Sequence, residues 1–190
     1  MEIVPIQYSC LYAVQYDGET YDEYNRIFEE YADFETVHTF FEKNKWKIGQ
    51  YYIKELGWPA TETEAYTNHV IQEVEELEDY FEDLIDNTTS GLSPSLSSHF
   101  MTLEGFEKEQ TPAMKSYGLA RPSLIRIYAV EVEHNCLIIF YSGIKINHSL
   151  SECPILKDNV LSKARNLISF LKENGIYSAK ELNQFISNGK

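Results

Sequence analysis

No run in this chain is apolar for long enough to span a bilayer, and no basic stretch leads an apolar one at its start. Neither a membrane segment nor a secretory leader is therefore expected, and a cytoplasmic location is. Cysteine is scarce: Cys10, Cys136 and Cys153 are odd in number, widely spaced and never arranged as CxxC. That excludes a disulfide scaffold and a zinc ribbon. No glycine pattern matches a phosphate loop or a dinucleotide fingerprint, so no bound cofactor is indicated. Internal repeats and coiled-coil heptads are also missing.

Positive charge is in short supply too, with 16 Lys and Arg against 30 Asp and Glu, a net charge of −14. The deficit is uneven. Up to Glu109 there are 24 acidic and 6 basic residues, and after it 6 acidic and 10 basic, so the balance changes from −18 to +4. Such asymmetry points to a surface facing a polyanion and an opposing acidic one. Nonspecific nucleic-acid binding by the whole chain is disfavoured, because it needs a basic domain.

What is present is an aromatic, globular composition: 43% hydrophobic and 14% aromatic in 190 residues, which fits one domain. Residues 1–95 read as an acidic, helical front part, and 96–190 as a sheet with C-terminal helices. Tyr8–Tyr16 alternates like a first strand and ends at the turn signal Asp17-Gly18. Thr20 or Asp22 is placed to cap a helix to about Ala32, and Asp33 or Thr36 a second one through Lys47. Thr61 with Glu64 matches a capping box, and the chain from there to Asp86 reads as one long helix. Its stripe is Val70, Val74, Leu77, Phe81, Leu84 and Ile85. The rest of this helix is crowded with Glu73, Glu75, Glu76, Glu78, Asp79, Glu82 and Asp83. That face is either a solvated surface, a docking face for a basic partner, or a shield for a basic cleft.

Asn87–Ser98 has loop composition, and Phe100–Phe106 reads as a short strand. Lys157–Asn174 and Ser178–Ser187 have helical spacing, with Gly175 as a stop between them. The fold class is α+β: a mostly antiparallel sheet with helices before it and a C-terminal helix after it.

The most telling segment is Leu124–Asn147. Arg126 interrupts an apolar strand pattern, His134-Asn135 is a two-residue turn, Cys136–Tyr141 is a continuous apolar strand, and Gly143 breaks or bends the chain beyond it. A buried charge is costly unless it is paired or faces a cleft. Arg126 and Lys145 therefore either lie on the wet face of a sheet or line one polar cleft. Other constellations carry less. His69 and Glu73, four apart on the long helix, are too few for a metal site and read as a surface ion pair. Trp46 and Trp58, with Tyr51-Tyr52 between them, read as core, core rim or a protein-binding patch.

The order of elements, with Ile125-Arg126-Ile127-Tyr128, Leu137–Tyr141, Gly143-Ile144-Lys145 and a helix from Lys157, resembles the RelE/ParE superfamily of small bacterial toxins. The resemblance spans Leu124–Gly175, about a quarter of the chain, and would make it a longer, acidic, N-terminally extended variant. It implies a toxin-like component of a type II toxin–antitoxin system, either mRNA-cleaving or ribosome-associated, with mRNA on the ribosome as its target. A cognate antitoxin, such as a helix-turn-helix protein, would hold it inactive. In that reading Arg126 clamps the phosphate and Lys145 adds charge or a proton. Arg121 widens the basic patch, and Tyr128, Tyr141 or His148 act as acid or base or stack on the RNA. Against it stands a non-catalytic module of the same fold that uses its acidic helix as a docking surface.

Overall fold

The computed structural model describes residues 1–116, 119 and 122–189; Arg121 lies outside them. In chain order the elements are β1 (Glu2–Gln7), β2 (Leu11–Gln15), α1 (Asn25–Glu30), α2 (Phe34–Asn44), a 3-10 turn (Lys45–Lys47), α3 (Gln50–Leu56) and α4 (Thr63–Ser90). There follow α5 (Leu96–His99), β3 (Phe100–Thr102), β4 (Ala113–Ser116), β5 (Ile125–Glu133), β6 (Cys136–Ile144), α6 (Pro154–Glu173) and α7 (Ala179–Ser187). The protein is α+β, and among the described residues its helices surround one six-stranded sheet in the order β1-β2-β6-β5-β4-β3. All neighbours are antiparallel except β2 and β6, which run parallel through Leu11–Ala13 and Leu137–Ile139. None of the described helices is long and apolar enough to cross a membrane.

The expected hairpin is present: Ile125 pairs with Ile144 and Glu133 with Cys136 around His134-Asn135. Asn135 takes φ +64, a left-handed conformation that asparagine tolerates well. Ser97 ties this turn to α5, accepting from Asn135 N at 2.7 Å and donating to Glu131 at 2.5 Å. Both faces of β5 and β6 are buried, so the strands are apolar nearly throughout rather than alternating.

Several expectations change. The first strand is a hairpin: β1 precedes the expected one and carries Pro5 within a strand at the sheet edge, where a missing N–H is tolerated. The long helix starts at Thr63, after Glu62, with no side-chain cap. Thr63 donates instead to Glu42 at 2.5 Å, so the Thr61–Glu64 capping box is not formed. That helix also runs to Ser90 and stops at Gly91 (φ +69), and part of the expected loop is helix. Gly143 is inside β6 rather than breaking it: a Cβ there would collide with Leu156 of α6. The residue permits a close helix approach. Trp46 is 79% exposed, outside the core, whereas Trp58 packs edge-on against buried Tyr66 at 5.5 Å.

Beyond Ile139, β6 leaves β2, and side chains take over its open edge. Tyr16 donates to Phe140 O at 2.9 Å, Arg26 to Ser142 O at 2.8 Å, and Glu23 accepts from Ser142 N at 3.3 Å. Buried Glu23 also pairs with Arg26 at 2.5 Å and with Lys163 of α6 at 3.0 Å. Backbone groups that would otherwise be orphaned are thus satisfied, and the edge is closed to other strands.

Candidate functional site: a cationic pocket under helix α6

Cross-strand partners point to the same face, so the registers Arg126↔Gly143, Tyr128↔Tyr141 and Lys115↔Tyr128 put these side chains on one face of the sheet. It is the face that α6 covers, because the missing Cβ of Gly143 is what admits Leu156. Lys145, two residues past Gly143, shares it, and its N–H bonds Leu124 O at 2.7 Å. On the far side, Gly49 N donates to Ile146 O at 2.7 Å and docks α3 against the chain leaving β6. A Cβ on Gly49 would meet Asn147 Oδ1 at 2.8 Å. That close approach brings Tyr51 and Tyr52 over the same space.

The result is a pocket of about 450 Å³ whose walls carry Lys115 of β4, Arg126 and Tyr128 of β5, Lys145, His148 and Lys157 of α6. Tyr51, Tyr52, Ser123, Ser149 and Ser151 add hydroxyls, and Glu104 is the acidic side chain among the described residues that line it. Arg126 is only 7% exposed and Lys145 8%. The wet-face alternative is thus replaced by the cleft. Tyr51 packs on the His148 ring with centroids 4.5 Å apart.

The electrostatics follow from this crowding. Burial, with Arg126 and Lys115 nearby, pushes the Lys145 ammonium down to about 8. Its Nζ donates to His148 O, which fixes the amine against the 148–151 loop. Burial raises the Tyr128 hydroxyl against the opposing pull of Arg126. Tyr52 is likewise pushed up to about 12 by burial and donates to Ser123 O at 3.1 Å. Arg126 Nη1 donates to Ser123 O at 3.1 Å, Ser123 Oγ at 2.9 Å and Ile125 O at 2.6 Å.

The structure therefore brings together Arg126, Tyr128, Lys145 and His148. Tyr141 does not line this pocket: its ring lies beneath the Lys163 ammonium at 4.6 Å and the Arg26 guanidinium at 5.5 Å, in the cluster along the β6 edge. The sequence pattern did not reveal Lys115, Lys157 or the two tyrosines of α3 as site residues. Lys115 carried the same signal as Arg126, a lone base in a short apolar strand, but in four residues the pattern was too brief to read.

The His69–Glu73 pair is not a surface ion pair. Glu73 is buried and accepts from Ser123 Oγ, from Leu124 N at 2.9 Å and from Ile125 N at 3.3 Å. His69 contacts Pro122 O through Nε2 at 3.2 Å. No three His, Cys, Asp or Glu side chains among the described residues are grouped to hold a metal ion. Chemically, the pocket can hold an oxyanion between a guanidinium and several ammonium groups, and Lys145 can exchange a proton near neutral pH.

No protein-family model matches the chain, and neither a curated protein nor a solved structure matches it. The class that can be stated is structural: an α+β protein with a cationic pocket beneath its C-terminal helical layer.

Proposed function

We propose that this pocket receives a phosphate group of RNA, and that the chain is a toxin-like, RNA-cleaving component of the RelE/ParE kind. One observation carries the reading. Lys115, Arg126, Lys145 and Lys157, delivered by four separate parts of a net acidic chain, line a single pocket beside Tyr128 and His148. Collecting scarce positive charge in a partly desolvated space is expensive unless an anion occupies it. Cleavage by a neighbouring 2′-OH builds negative charge on the phosphate, and fixed cations stabilise that state more than the ground state. Arg126 holds the phosphate oxygens, while Lys145 supplies charge and proton transfer. The basic or helix-turn-helix antitoxin of such a system is the proposed partner.

The test is induced expression in a bacterial host. Growth arrest with RNA cleavage is expected, and Arg126→Ala combined with Lys145→Ala should relieve both. Arrest that persists in the double variant would defeat the site.

A second reading is a non-catalytic module that docks through α4. Glu75, Glu76, Glu78, Asp79, Glu82, Asp83 and Asp86 are all exposed on that helix. It predicts no growth arrest and a salt-sensitive complex with a basic protein.

A further inference from the structure

The pocket's buried guanidinium is held from behind by the acidic helix. Glu73 is placed on the inward stripe of α4, three residues after Val70 and four before Leu77, both fully buried. Its carboxylate receives three donors from the segment leading into β5: the Ser123 hydroxyl and the N–H groups of Leu124 and Ile125. One turn earlier, His69 grips the same segment at Pro122 O. Burial pushes the Glu73 carboxyl up, and the Ser123 and Leu124 donors, with His69, pull it back toward the ionised form.

Ser123 is the link. A hydroxyl has one proton and two lone pairs, and a guanidinium can only donate. Arg126 Nη1 therefore uses a lone pair of Ser123 Oγ, which frees the hydroxyl proton for Glu73, with Ile125 O at 3.0 Å as its other acceptor. The order Glu73 carboxylate, Ser123 hydroxyl, Arg126 guanidinium is a serine-bridged ion pair between a helix and a strand. Tyr52 closes it from the pocket side by donating to Ser123 O.

We propose that Glu73 and Ser123 are positioning residues: they lock Arg126 in the orientation that presents it to the pocket, so the acidic helix is part of the site's scaffold. The inference deepens the phosphate-pocket reading and rests on it for its purpose, but the lock itself can be read without any ligand.

The experiment tracks the Arg126 side chain by ¹H–¹⁵N spectroscopy, with its signals identified by their absence in Arg126→Lys. Wild-type Nη1 protons should be resolved and slow to exchange with water. Because the Ser123 and Ile125 carbonyls still accept from Nη1, Ser123→Ala should speed that exchange by about three- to tenfold without abolishing protection. Ser123→Thr, which keeps the hydroxyl, should restore it. Glu73→Gln should loosen Arg126 in the same direction. Sulfate affinity of the folded variants should fall in parallel. Exchange that stays at the wild-type rate in Ser123→Ala overturns the lock, whatever happens to the melting temperature. A wild type whose guanidinium is locked but which binds no sulfate leaves the lock standing and removes the phosphate reading instead.

Discussion

Two charged clusters lie within this fold, one along the β6 edge and one beneath α6, and they are built on opposite rules. Along the β6 edge, Glu23 sits between Arg26 and Lys163, and each charge has an opposite partner within 3.0 Å. Beneath α6, Lys115, Arg126, Lys145 and Lys157 share walls with Glu104 alone among the described acidic residues. The first cluster replaces strand pairing where β6 leaves β2. The second concentrates one sign of charge around an open space. Arg126 still reaches an acidic residue, Glu73, through the Ser123 hydroxyl, and on the reading proposed above the remaining contrast separates a site for an anion from a strut.

Breaking the first cluster should have the largest effect. Glu23→Ala removes the buried carboxylate between two half-buried cations and frees the Ser142 N–H. Lys163 is left without its acidic partner and Arg26 with Glu30 at 3.5 Å, so unfolding in denaturant should show a loss of about 3 kcal/mol. A loss below about 1 kcal/mol would mean that the edge cluster is not structural.

The pocket should respond the other way. Lys145 has its folded pKa near 8, below the ordinary lysine value of 10.5, so its protonated form costs stability. That cost is fully present well below pH 8 and disappears above 10.5; the stability associated with the neutral amine is lost as pH falls through about 8. Lys145→Met should therefore stabilise the fold by about 1–2 kcal/mol at pH 7. The gain should shrink toward zero by pH 10.5. Denaturant midpoints across that range decide it, and a destabilised Lys145→Met at pH 7 would place Lys145 in the structural class with Glu23.

The smallest effect belongs to the outer face of α4. Reversing Glu76, Asp79 and Glu82 to lysine together should move stability by only about 0.5 kcal/mol per site. Growth arrest should be unchanged. A variant that stays folded but loses its cellular effect would favour the docking reading of that face.

The same contrast governs how much of the molecule is legible in its sequence. The β5–β6 hairpin, α4 and α6 can be read because their apolar periods are long, and Gly175 marks the end of α6. The ends of α4 are misplaced, because the Thr61–Glu64 pattern forms no cap and the polar residues before Gly91 look like a loop. The pairing of Arg126 with Lys145 could be proposed from lone bases in apolar strands, but only the register, with Gly143 opposite Arg126, brings them to one face. β1 is hidden because Pro5 contradicts a strand pattern and the Tyr8–Cys10 turn, with Ser9 at φ +73, has no glycine. Glu73 reads as one of its acidic neighbours, although its place between Val70 and Leu77 on the buried stripe already sets it apart. No motif sets Tyr141 apart from Tyr128 or His148 in the sequence, and only the packing shows that its ring meets Lys163 and Arg26 instead of the pocket. Arg121 lies outside the described residues.

The most direct test of the central claim is a sulfate titration monitored by backbone amide shifts, since sulfate keeps its two charges across the relevant pH range. Saturable shifts should gather at Ser123, Arg126, Lys145 and the 148–151 loop, vanish in Arg126→Ala with Lys145→Ala, and weaken as pH rises through about 8. Shifts that are absent, or that gather instead around Arg26 and Lys163, would contradict the account.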